Sequence, residues 1–473
     1  MSQEFDLVVL GGGTGGYVAA IRASQLGMKV AIVEKEKLGG TCLHKGCIPS
    51  KAFLRSAEVF ATLKESEKYG VLAGEVDYDF GKVQERKKNI IEQLHKGVQF
   101  LMKKGSITIF EGFGRVMGPS IFSPQAGAVR IEKENGDQEM IVPRFLLLAT
   151  GSRPRTLPGL TIDGTQVVTS DEALEWEELP KSVVIVGGGV IGIEWASMLN
   201  DFGVDVTVVE YADRILPTED EEVSKEMARL LKKRKVQIVT GAKVLAESVE
   251  KGDGLVKIQA ETANGVQTFE AVKILVSVGR QANVENLGLE ATEIKVEKGA
   301  IVVNEHFQTA ESHIYAIGDV IGGLQLAHVA SHEGILAVEH MAGLQPHPLD
   351  YTQVPKCTYS RPQVANVGWT EKEAREQGFE VKVGKFSFKS LGKALIEGEN
   401  DGFVKLVVDV KTNDLLGVHM IGPHVTDMIS EAGLARVLDA TAWEIGQTIH
   451  PHPTLSEAIM EAALAVDGKA IHN

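Results

Sequence analysis

Two cysteines near the N-terminus are the residues best suited to redox chemistry. Cys42 and Cys47 lie five positions apart in the segment GGTCLHKGCIPSK. On a regular α-helix they would stand roughly 9 Å apart at Cα, beyond the ~7 Å that a disulfide allows. A bridge therefore requires a distorted turn, which the glycines of the segment permit. Pro49 suits the start of the following helix, whose N-terminus would stabilise a thiolate at Cys47.

Two other interpretations of the cysteine pair remain open. A metal site needs about four ligands, and only Cys42, Cys47 and His44 lie close together in the sequence. An inert structural pair ranks below redox chemistry and above metal binding, so we predict no metal site. The third cysteine, Cys357, stands alone in a strand-like stretch, where we expect a small buried hydrophobic residue.

The C-terminal segment HPHPTLSE could supply a base. It contains His450, His452 and Glu457, and a carboxylate that holds one imidazole tautomer makes the histidine a base. The alternative is a turn stiffened by proline, in which Thr454 or Ser456 caps the next helix and Glu457 enters its first turn. The base gains weight because a dithiol enzyme must generate a substrate thiolate.

A glycine-rich turn follows the first apolar strand of the chain. Gly11, Gly13 and Gly16 fit the pattern GxGxxG after the run Phe5 to Leu10, and a second strand closes with Glu34, 21 residues beyond Gly13. In a strand-turn-helix unit, such glycines let the backbone approach a pyrophosphate at the helix N-terminus, and the acid binds a ribose hydroxyl. The pattern therefore predicts a dinucleotide site.

The whole unit recurs after a shift of 176 residues, which carries Gly11 to Gly187. Gly187, Gly189 and Gly192 form the second turn, and Glu210 closes its second strand. Two complete copies indicate two dinucleotide-binding domains. A carboxylate at Glu210 accepts hydrogen bonds from a free 2′-hydroxyl and repels a 2′-phosphate, so the second site should prefer NAD to NADP.

Asp319 and the C-terminal part of the chain complete the pattern. Asp319 follows the predicted strand Tyr315 to Ile317, where a carboxylate is well placed to bind a polar ligand, with an ordinary turn or cap as the alternative. Beyond about residue 350 the chain changes to alternating strands, at Phe403 to Val410 and Leu415 to Ile421, and a helix from Asp427 to Leu438. This part predicts an α+β domain without a nucleotide loop.

Composition narrows the class of protein. The chain has 473 residues, 49 Lys and Arg against 64 Asp and Glu, and a formal net charge of −15. Such a charge argues against nucleic-acid binding and suits a partner with a basic patch. No apolar stretch reaches the ~18 residues needed to span a bilayer, and the first residues do not read as a secretory signal. We expect a soluble, cytoplasmic protein without a membrane partner.

Together these motifs resemble the pyridine nucleotide-disulfide oxidoreductase family, and most closely its members that oxidise dihydrolipoamide. The resemblance covers essentially the whole chain. It implies an α/β fold with two Rossmann-like dinucleotide-binding domains and a C-terminal α+β interface domain. The implied ranges are 1–149 for the FAD-binding domain, 150–280 for the NAD-binding domain, 281–350 for a central domain that completes the FAD site, and 351–473 for the interface or dimerisation domain.

The family pattern also implies a role for each motif. Cys42 resembles the thiol that exchanges with substrate and Cys47 the thiol that faces the flavin, while Lys51 and Glu194 resemble an ion pair beside the isoalloxazine. Glu34 would bind the adenosine ribose of FAD, Asp319 its ribityl chain, and Glu210 the ribose of NAD. The other cofactor-binding positions implied are Thr150, Gly151, Ser152, Gly279 and Ala327, besides the six glycines of the two turns.

The activity implied is oxidation of protein-bound dihydrolipoamide to lipoamide with reduction of NAD to NADH, through a disulfide between Cys42 and Cys47. His452 would be the base and Glu457 its orienting carboxylate, both supplied by the opposite subunit of a homodimer. The partners implied are the lipoyl and subunit-binding domains of an E2 acyltransferase, or the glycine cleavage H protein. The alternatives are a reductase of another low-molecular-weight disulfide, or mainly a docked structural subunit.

Three positions depart from the family pattern. His44 and Lys45 stand between the cysteines where most members have Asn and Val, and Ile191 stands where many have Tyr. His44 and Lys45 add polarity between the thiols, so we expect a modest effect on the thiol pKa. Ile191 would change how the nicotinamide pocket is gated. None of the three removes a catalytic role.

Overall fold

The computed structural model describes residues 4–119 and 125–472, which form a mixed α/β structure in two compact units. The first unit is Met1–Ala52, Gln84–Arg155 and Arg280–Leu349, and the second is Phe53–Val83, Thr156–Gly279 and Asp350–Asn473. Both units are therefore discontinuous in sequence. Among residues 4–119 and 125–472, we find no helix that combines the length and the hydrophobicity of a membrane span.

The α-helices of the described residues begin and end as follows. In chain order they are α1 (Thr14–Gln25), α2 (Gly40–His44), α3 (Cys47–Lys64), α4 (Phe80–Lys104), α5 (Ser170–Ala173), α6 (Val190–Asp201), α7 (Glu221–Lys233), α8 (Ala327–Met341), α9 (Glu371–Glu376), α10 (Gly392–Glu397), α11 (Val425–Val437), α12 (Ala442–Gln447) and α13 (Glu457–Ala465). Short 3₁₀ helices cover Ser66–Tyr69, Leu289–Ala291, Gly318–Ile321, Tyr351–Gln353 and Phe388–Ser390.

The strands of the same residues form six sheets. In chain order they are β1 (Glu4–Leu10), β2 (Val30–Glu34), β3 (Thr108–Glu111), β4 (Phe113–Met117), β5 (Ala128–Glu132), β6 (Gln138–Leu148), β7 (Ser152–Pro154), β8 (Val167–Thr169), β9 (Ser182–Val186), β10 (Asp205–Val209), β11 (Gln237–Val239), β12 (Lys243–Lys251), β13 (Val256–Thr262), β14 (Gly265–Ala271), β15 (Lys273–Val276), β16 (Arg280–Ala282), β17 (Val296–Glu297), β18 (Ala300–Ile301), β19 (Ile314–Ala316), β20 (Lys356–Thr358), β21 (Gln363–Gly368), β22 (Val381–Ser387), β23 (Phe403–Asp409) and β24 (Leu415–Gly422).

The first unit is built around a parallel sheet in the order β3-β2-β1-β6, with β19 parallel to the end of β6 and the antiparallel strands β5 and β4 beyond. Its central strands are nearly continuous apolar runs because both faces of the sheet are covered. Helices α1, α4 and α8 cover one face, and strands β4 and β5 with the segment 284–303 cover the other. One core cluster holds Leu7, Val9 and Ile32 with Ala19 of α1, and another holds Val8 and Leu146. The carboxyl ends of β1 and β2 thus meet at one edge, where the first glycine turn and Glu34 lie.

The second unit repeats this arrangement. Its parallel sheet runs β11-β10-β9-β15, with β8 beyond β15, so the strand order matches that of the first unit. The internal repeat read from the sequence is therefore a repeat of structure as well. The three-stranded antiparallel sheet β12-β13-β14 lies in the same unit.

The C-terminal part of the second unit is α+β, as predicted. Its antiparallel sheet has the order β20-β21-β24-β23-β22, and α11, α12 and α13 contribute to the same apolar core. Strands β23 and β24 are buried along their whole length. The element ends differ slightly from the prediction: α11 begins at Val425, two residues early, and β19 ends at Ala316 because Ile317 precedes a 3₁₀ helix.

Candidate functional site

The cysteine pair lies at a break between two helices. Helix α2 ends at His44, Lys45 leaves the helical conformation, and α3 begins at Cys47. The distorted turn that a bridge requires is thus present, and Cys47 stands at the N-terminus of an 18-residue helix as expected from Pro49. The unsatisfied N–H groups of that terminus favour negative charge on the Cys47 sulfur.

The side chains of Cys42 and Cys47 lie close together and are hydrogen-bonded to each other. The hydrogen bond with Cys47, and then burial, hold the pKa of the Cys42 thiol well above its ordinary value, against smaller opposing effects of Thr14 and Lys51. In a coupled pair of this kind the second proton is the harder to remove. The raised pKa therefore favours Cys42 as a thiol in the reduced pair.

The residues between the cysteines are anchored. His44 Nε2 lies 2.9 Å from the Leu38 carbonyl oxygen, and His95 Nδ1 lies 2.9 Å from the same oxygen. The two imidazole rings meet edge to face, with centroids 5.3 Å apart. Burial lowers the pKa of His44, with the Leu38 carbonyl opposing. Sequence reasoning missed His95 because it lies on α4, about fifty residues away in the chain.

The first glycine turn holds Glu34 by two backbone bonds. The Gly12 N–H donates to Glu34 Oε2 at 2.7 Å, and the Glu36 N–H donates to Oε1 at 2.7 Å. The carboxylate is thus fixed at the end of β2 with a lone pair left on each oxygen. This is the geometry expected of a ribose-binding acid.

The second turn repeats these bonds. The Gly188 N–H donates to Glu210 Oε2 at 2.5 Å, and the Ala212 N–H donates to Oε1 at 2.7 Å. Both partners lie 176 positions after their counterparts in the first copy, as Gly12 maps to Gly188 and Glu34 to Glu210. The predicted pairing of each glycine turn with its acid therefore has the same hydrogen bonds in both copies.

The space around the glycines fits a dinucleotide. A Cβ added at Gly16 would lie 1.9 Å from the Gly11 oxygen, and one at Gly192 would lie 1.9 Å from the Gly187 oxygen, so helix and turn pack at backbone contact. In contrast, a Cβ at Gly189 would meet nothing within 4 Å. Helices α1 and α6 begin directly after Gly13 and Gly189 with no side-chain cap, so their first N–H groups can bind a pyrophosphate.

Asp319 is held by two residues from other parts of the first unit. Ser152 Oγ donates a hydrogen bond to Asp319 Oδ2, and Arg280 Nε lies 3.8 Å from the same oxygen. Arg280 also donates to Ser152 Oγ at 2.7 Å and to the Ser152 carbonyl at 2.9 Å. The structure thus brings together two predicted residues and adds Arg280. The sequence signal for Arg280 was its position directly after Gly279, a predicted cofactor-binding residue. In the structure, Arg280 begins β16, which pairs with β7.

The other predicted positions are placed as follows. Thr150 Oγ1 donates to the Asn283 carbonyl at 2.8 Å, Gly151 and Gly279 have positive φ, and Ala327 is the first residue of α8. Lys51 lies in the first unit and Glu194 in the second, so their ion pair stays a prediction. Glu194 is buried on α6, where its Oε1 accepts the Tyr359 N–H at 2.8 Å.

The predicted base and its carboxylate form a pair in the second unit. His452 Nδ1 lies 2.8 Å from Glu457 Oε1, and the Thr454 N–H donates to Glu457 Oε2 at 2.8 Å. Burial acts to raise the pKa of Glu457, but the Thr454 N–H and His452 outweigh it and hold the pKa below its ordinary value. An ionised Glu457 fixes the proton on Nδ1 and leaves Nε2 to accept one. The His452 side chain is 77% exposed.

Neighbouring residues of this turn have other roles. His450 does not join the pair: its Nε2 lies 2.7 Å from Glu431 Oε1 and its Nδ1 lies 2.9 Å from the Thr448 carbonyl. Ser456 precedes α13 without a capping hydrogen bond, and the Thr454 hydroxyl donates to the Pro451 carbonyl at 2.7 Å. The segment thus combines parts of its two predicted roles, the base and the helix start. Glu457 is the first residue of α13, and its carboxylate also binds His452.

Two remaining observations concern cysteine and metal. Cys357 lies on β20 and packs against the C-terminal core, but it is half-buried rather than fully buried. Among residues 4–119 and 125–472, no group of three or more His, Cys, Asp or Glu side chains could hold a metal ion.

Comparison with known protein families gives two matches that together span most of the chain. The family model for pyridine nucleotide-disulphide oxidoreductases matches residues 5–334, and that for the dimerisation domain of the same enzymes matches residues 354–463. The first match contains both glycine turns and both cysteines. The second contains His452 and Glu457.

Curated relatives and solved structures agree with these matches. The chain is 67% identical over 473 residues to a dihydrolipoyl dehydrogenase of Bacillus subtilis (strain 168), and 44% identical over 474 residues to one of Zymomonas mobilis, with 100% of each chain covered. The structure of LpdA from Mycobacterium tuberculosis aligns with a TM-score of 0.89 at 26% identity, covering 97% of this chain and 98% of that one. The HOCl-induced flavoprotein disulfide reductase RclA from Escherichia coli aligns with a TM-score of 0.84 at 26% identity, covering 96% and 98%.

Proposed function

The chain belongs to the pyridine nucleotide-disulphide oxidoreductase family, and from this premise we infer that it is an enzyme that oxidises dihydrolipoamide to lipoamide and reduces NAD to NADH. The observation that carries this inference is the pair Cys42 and Cys47, hydrogen-bonded at the N-terminus of α3 in a chain that matches dihydrolipoyl dehydrogenases over its full length. A dithiol poised at a helix N-terminus can exchange with a substrate dithiol.

FAD and NAD are the cofactors of this enzyme, and the two glycine turns fit them. The proposed FAD ligands are the first turn with Glu34 and the group formed by Ser152 and Asp319. The proposed NAD ligands are the second turn and Glu210. When bound, FAD accepts an electron pair from the dithiol and NAD takes it up.

The cysteines carry the exchange with substrate. A thiolate of dihydrolipoamide attacks Sγ of Cys42 in the oxidised pair, the bond between Cys42 and Cys47 breaks, and Cys47 leaves as a thiolate. The second substrate sulfur then attacks the first, which releases lipoamide and returns Cys42 as a thiol. The electron pair has thereby moved from the substrate to the two cysteines. The raised pKa of Cys42 supports its return as a thiol rather than a thiolate.

We propose His452 as the base that removes the substrate proton. Its Nε2 accepts the proton while Nδ1 stays bonded to Glu457, so the imidazolium that forms is stabilised by the carboxylate. A homodimer belongs to the same proposal and is supported by the dimerisation-domain match at 354–463. In that dimer, the base of each subunit serves the cysteine pair of the other.

The partners belong to the proposal as well. The lipoyl group would come from the lipoyl domain of an E2 acyltransferase or from the glycine cleavage H protein, and an E2 subunit-binding domain would dock the dimer. The net charge of −15 suits a basic docking module. A cytoplasmic location is supported by the small number of cysteines, three in 473 residues.

An anaerobic titration of the FAD-loaded protein tests the inference. Dihydrolipoamide should reduce the protein, and added NAD should then appear as NADH. Cys47→Ser should abolish both signals, while Cys357→Ser, a cysteine outside the pair, should retain them. Reduction by another dithiol but not by dihydrolipoamide would favour a different disulfide substrate, and full turnover by Cys47→Ser would exclude the mechanism.

A further inference from the structure

A row of polar side chains crosses the C-terminal sheet of the second unit. Asn366 on β21 pairs with His419 on β24, His419 pairs with Lys405 on β23, and Lys405 pairs with Lys385 on β22. Residues directly opposite in a sheet lie on the same face. These four residues, which we call the polar rung, therefore share one face of a sheet whose other positions are largely apolar.

The partners of the polar rung lie at the start of α7. Lys405 is 2% exposed, and its Nζ lies 3.1 Å from Asp220 Oδ2 and 2.9 Å from Glu222 Oε1. Asn366 Nδ2 donates to Glu219 Oε2 at 2.5 Å. Two further contacts complete the group: Lys405 with Glu371 of α9 at 3.0 Å, and Lys385 with Glu222. The rung thus holds three acidic residues of one short segment, Glu219, Asp220 and Glu222.

His419 stands inside the rung without adding charge. It is 1% exposed, and its Nε2 lies 2.9 Å from the Trp369 carbonyl oxygen. Burial lowers the pKa of His419, so the ring is neutral beside Lys405. Because His419 is neutral, Lys405 and Lys385 are the charged residues of the rung that pair with the acidic residues at the start of α7.

The segment held by the rung is the far end of the loop that starts at Glu210. Within this loop the Leu216 N–H donates to the Gly188 carbonyl at 2.8 Å, and a Cβ at Gly188 would meet Ile215 Cγ2 at 3.0 Å. The loop Glu210 to Asp220 therefore closes over the second glycine turn, and the polar rung holds the C-terminal end of this loop.

In the first copy of the repeat, a different type of residue donates the corresponding hydrogen bond to the carbonyl of the glycine turn. There the Gly39 N–H donates to the Gly12 carbonyl at 2.8 Å, and Gly39 has a φ of +109°. In the second copy the donor is Leu216, with a φ of +45°, a conformation that a leucine adopts at a cost. Such a residue keeps this conformation only where its surroundings impose it. The polar rung supplies such a constraint beginning three residues further on, at Glu219.

We propose that Asn366 and Lys405 are positioning residues for NAD, which hold the loop Glu210 to Asp220 over the second glycine turn. The proposal rests on the proposed binding of NAD at this turn. It makes the C-terminal sheet, which contributes none of the predicted NAD ligands, a determinant of NAD affinity. The part of NAD affected is the adenosine diphosphate ribose half, because Gly188 and Glu210 face that half.

Binding of ADP-ribose to the FAD-loaded protein at pH 8, measured by calorimetry, tests the proposal. Asn366→Ala removes the bond to Glu219, and we expect the Kd of ADP-ribose to rise about five- to tenfold. The KM for NAD should rise in parallel, while kcat at saturating NAD changes less than about twofold. Gln363→Ala is the matched control, because Gln363 lies on the same strand but binds Thr426 of α11. It should leave the Kd unchanged.

A second variant keeps the test decisive if Asn366→Ala does not fold. Glu219→Gln preserves shape but weakens the bond from Asn366, and it should raise the Kd of ADP-ribose about two- to threefold. An unchanged Kd in either variant that folds would overturn the proposal. A fall in kcat as large as the rise in the Kd would overturn it as well. Failure of the unmodified protein to bind ADP-ribose would instead contradict NAD binding at this turn, so the two failures are distinguishable.

Discussion

The backbone N–H of Gly188 donates a 2.5 Å hydrogen bond to Oε2 of Glu210, as the N–H of Gly12 does to Glu34 in the first copy of the repeat. Each bond fixes a carboxylate at the end of the second strand of its sheet. The remaining lone pairs of the carboxylate can accept hydrogen bonds from a ribose, and its charge repels a phosphate at the same place. The two acids are thus alike in their backbone contacts and differ in the cofactor that we assign to each.

Replacement of Glu210 should change the choice between NAD and NADP. We expect Glu210→Ala to lower the ratio of kcat/KM for NAD over NADP by at least about tenfold, because the ribose loses its acceptor and the 2′-phosphate its repulsion. Steady-state kinetics with both cofactors measures the ratio. Glu34→Ala is the matched control, which should reduce FAD retention and leave the ratio unchanged. A constant ratio in Glu210→Ala would show that other residues select the cofactor.

Substitutions at two glycines of the second turn should affect NAD binding and fold stability separately. A methyl group at Gly189 meets no atom of the chain within 4 Å, so Gly189→Ala should leave the melting temperature unchanged and raise the Kd of NAD at least about tenfold. Gly192→Ala places a Cβ 1.9 Å from the Gly187 oxygen and should destabilise the fold by about 1–3 kcal/mol. Gly97→Ala, which also has open space around its Cβ, is the control for both. Equal effects of Gly189→Ala and Gly97→Ala on NAD binding would contradict the assigned turn.

The parts of this molecule that the sequence predicts are those with local signals. The turn at Gly187 needs a positive φ and a strand and helix on either side, all within a short stretch. The break between α2 and α3 follows from the spacing of Cys42 and Cys47 and the glycine between them. Because each of these features is determined by a few neighbouring residues, the residue types at those positions are enough to predict it.

Contacts between distant elements are not predicted in this way. Asn366 is 147 positions from Glu219, and Lys405 is 185 positions from Asp220. Nothing in the sequence distinguishes Lys405, which is 2% exposed, from an exposed lysine on a strand, because its burial results from the packing of α7 against the sheet. Arg280 was missed for the same reason, since its partner Asp319 reaches it only through the fold.

The pair of His452 and Glu457 should carry the proton transfer. We expect His452→Gln to lower kcat about 10²- to 10⁴-fold, and Glu457→Gln to lower it less, because the imidazole remains but loses its charged partner. His472→Gln is the control, since His472 Nδ1 lies 2.6 Å from Glu461 in a similar pair outside the predicted site. Stopped-flow reduction by dihydrolipoamide isolates the step. Equal losses in His452→Gln and His472→Gln would indicate a structural effect.

Glu219 should make stability depend on pH. Burial raises the pKa of Glu219 from 4.5 to about 7, against smaller opposing effects of Lys356 and Asn366. Between these values the folded chain binds more protons than the unfolded chain, so the free energy of unfolding falls as the pH rises through this window. Glu219→Gln has no proton to lose, and in urea it should be more stable than the unmodified protein by about 1–3 kcal/mol at pH 8 but not at pH 5. Glu376→Gln, on the exposed side of α9, should show no such difference. The same gain at both pH values would mean that the stability comes from packing and not from the charge of Glu219.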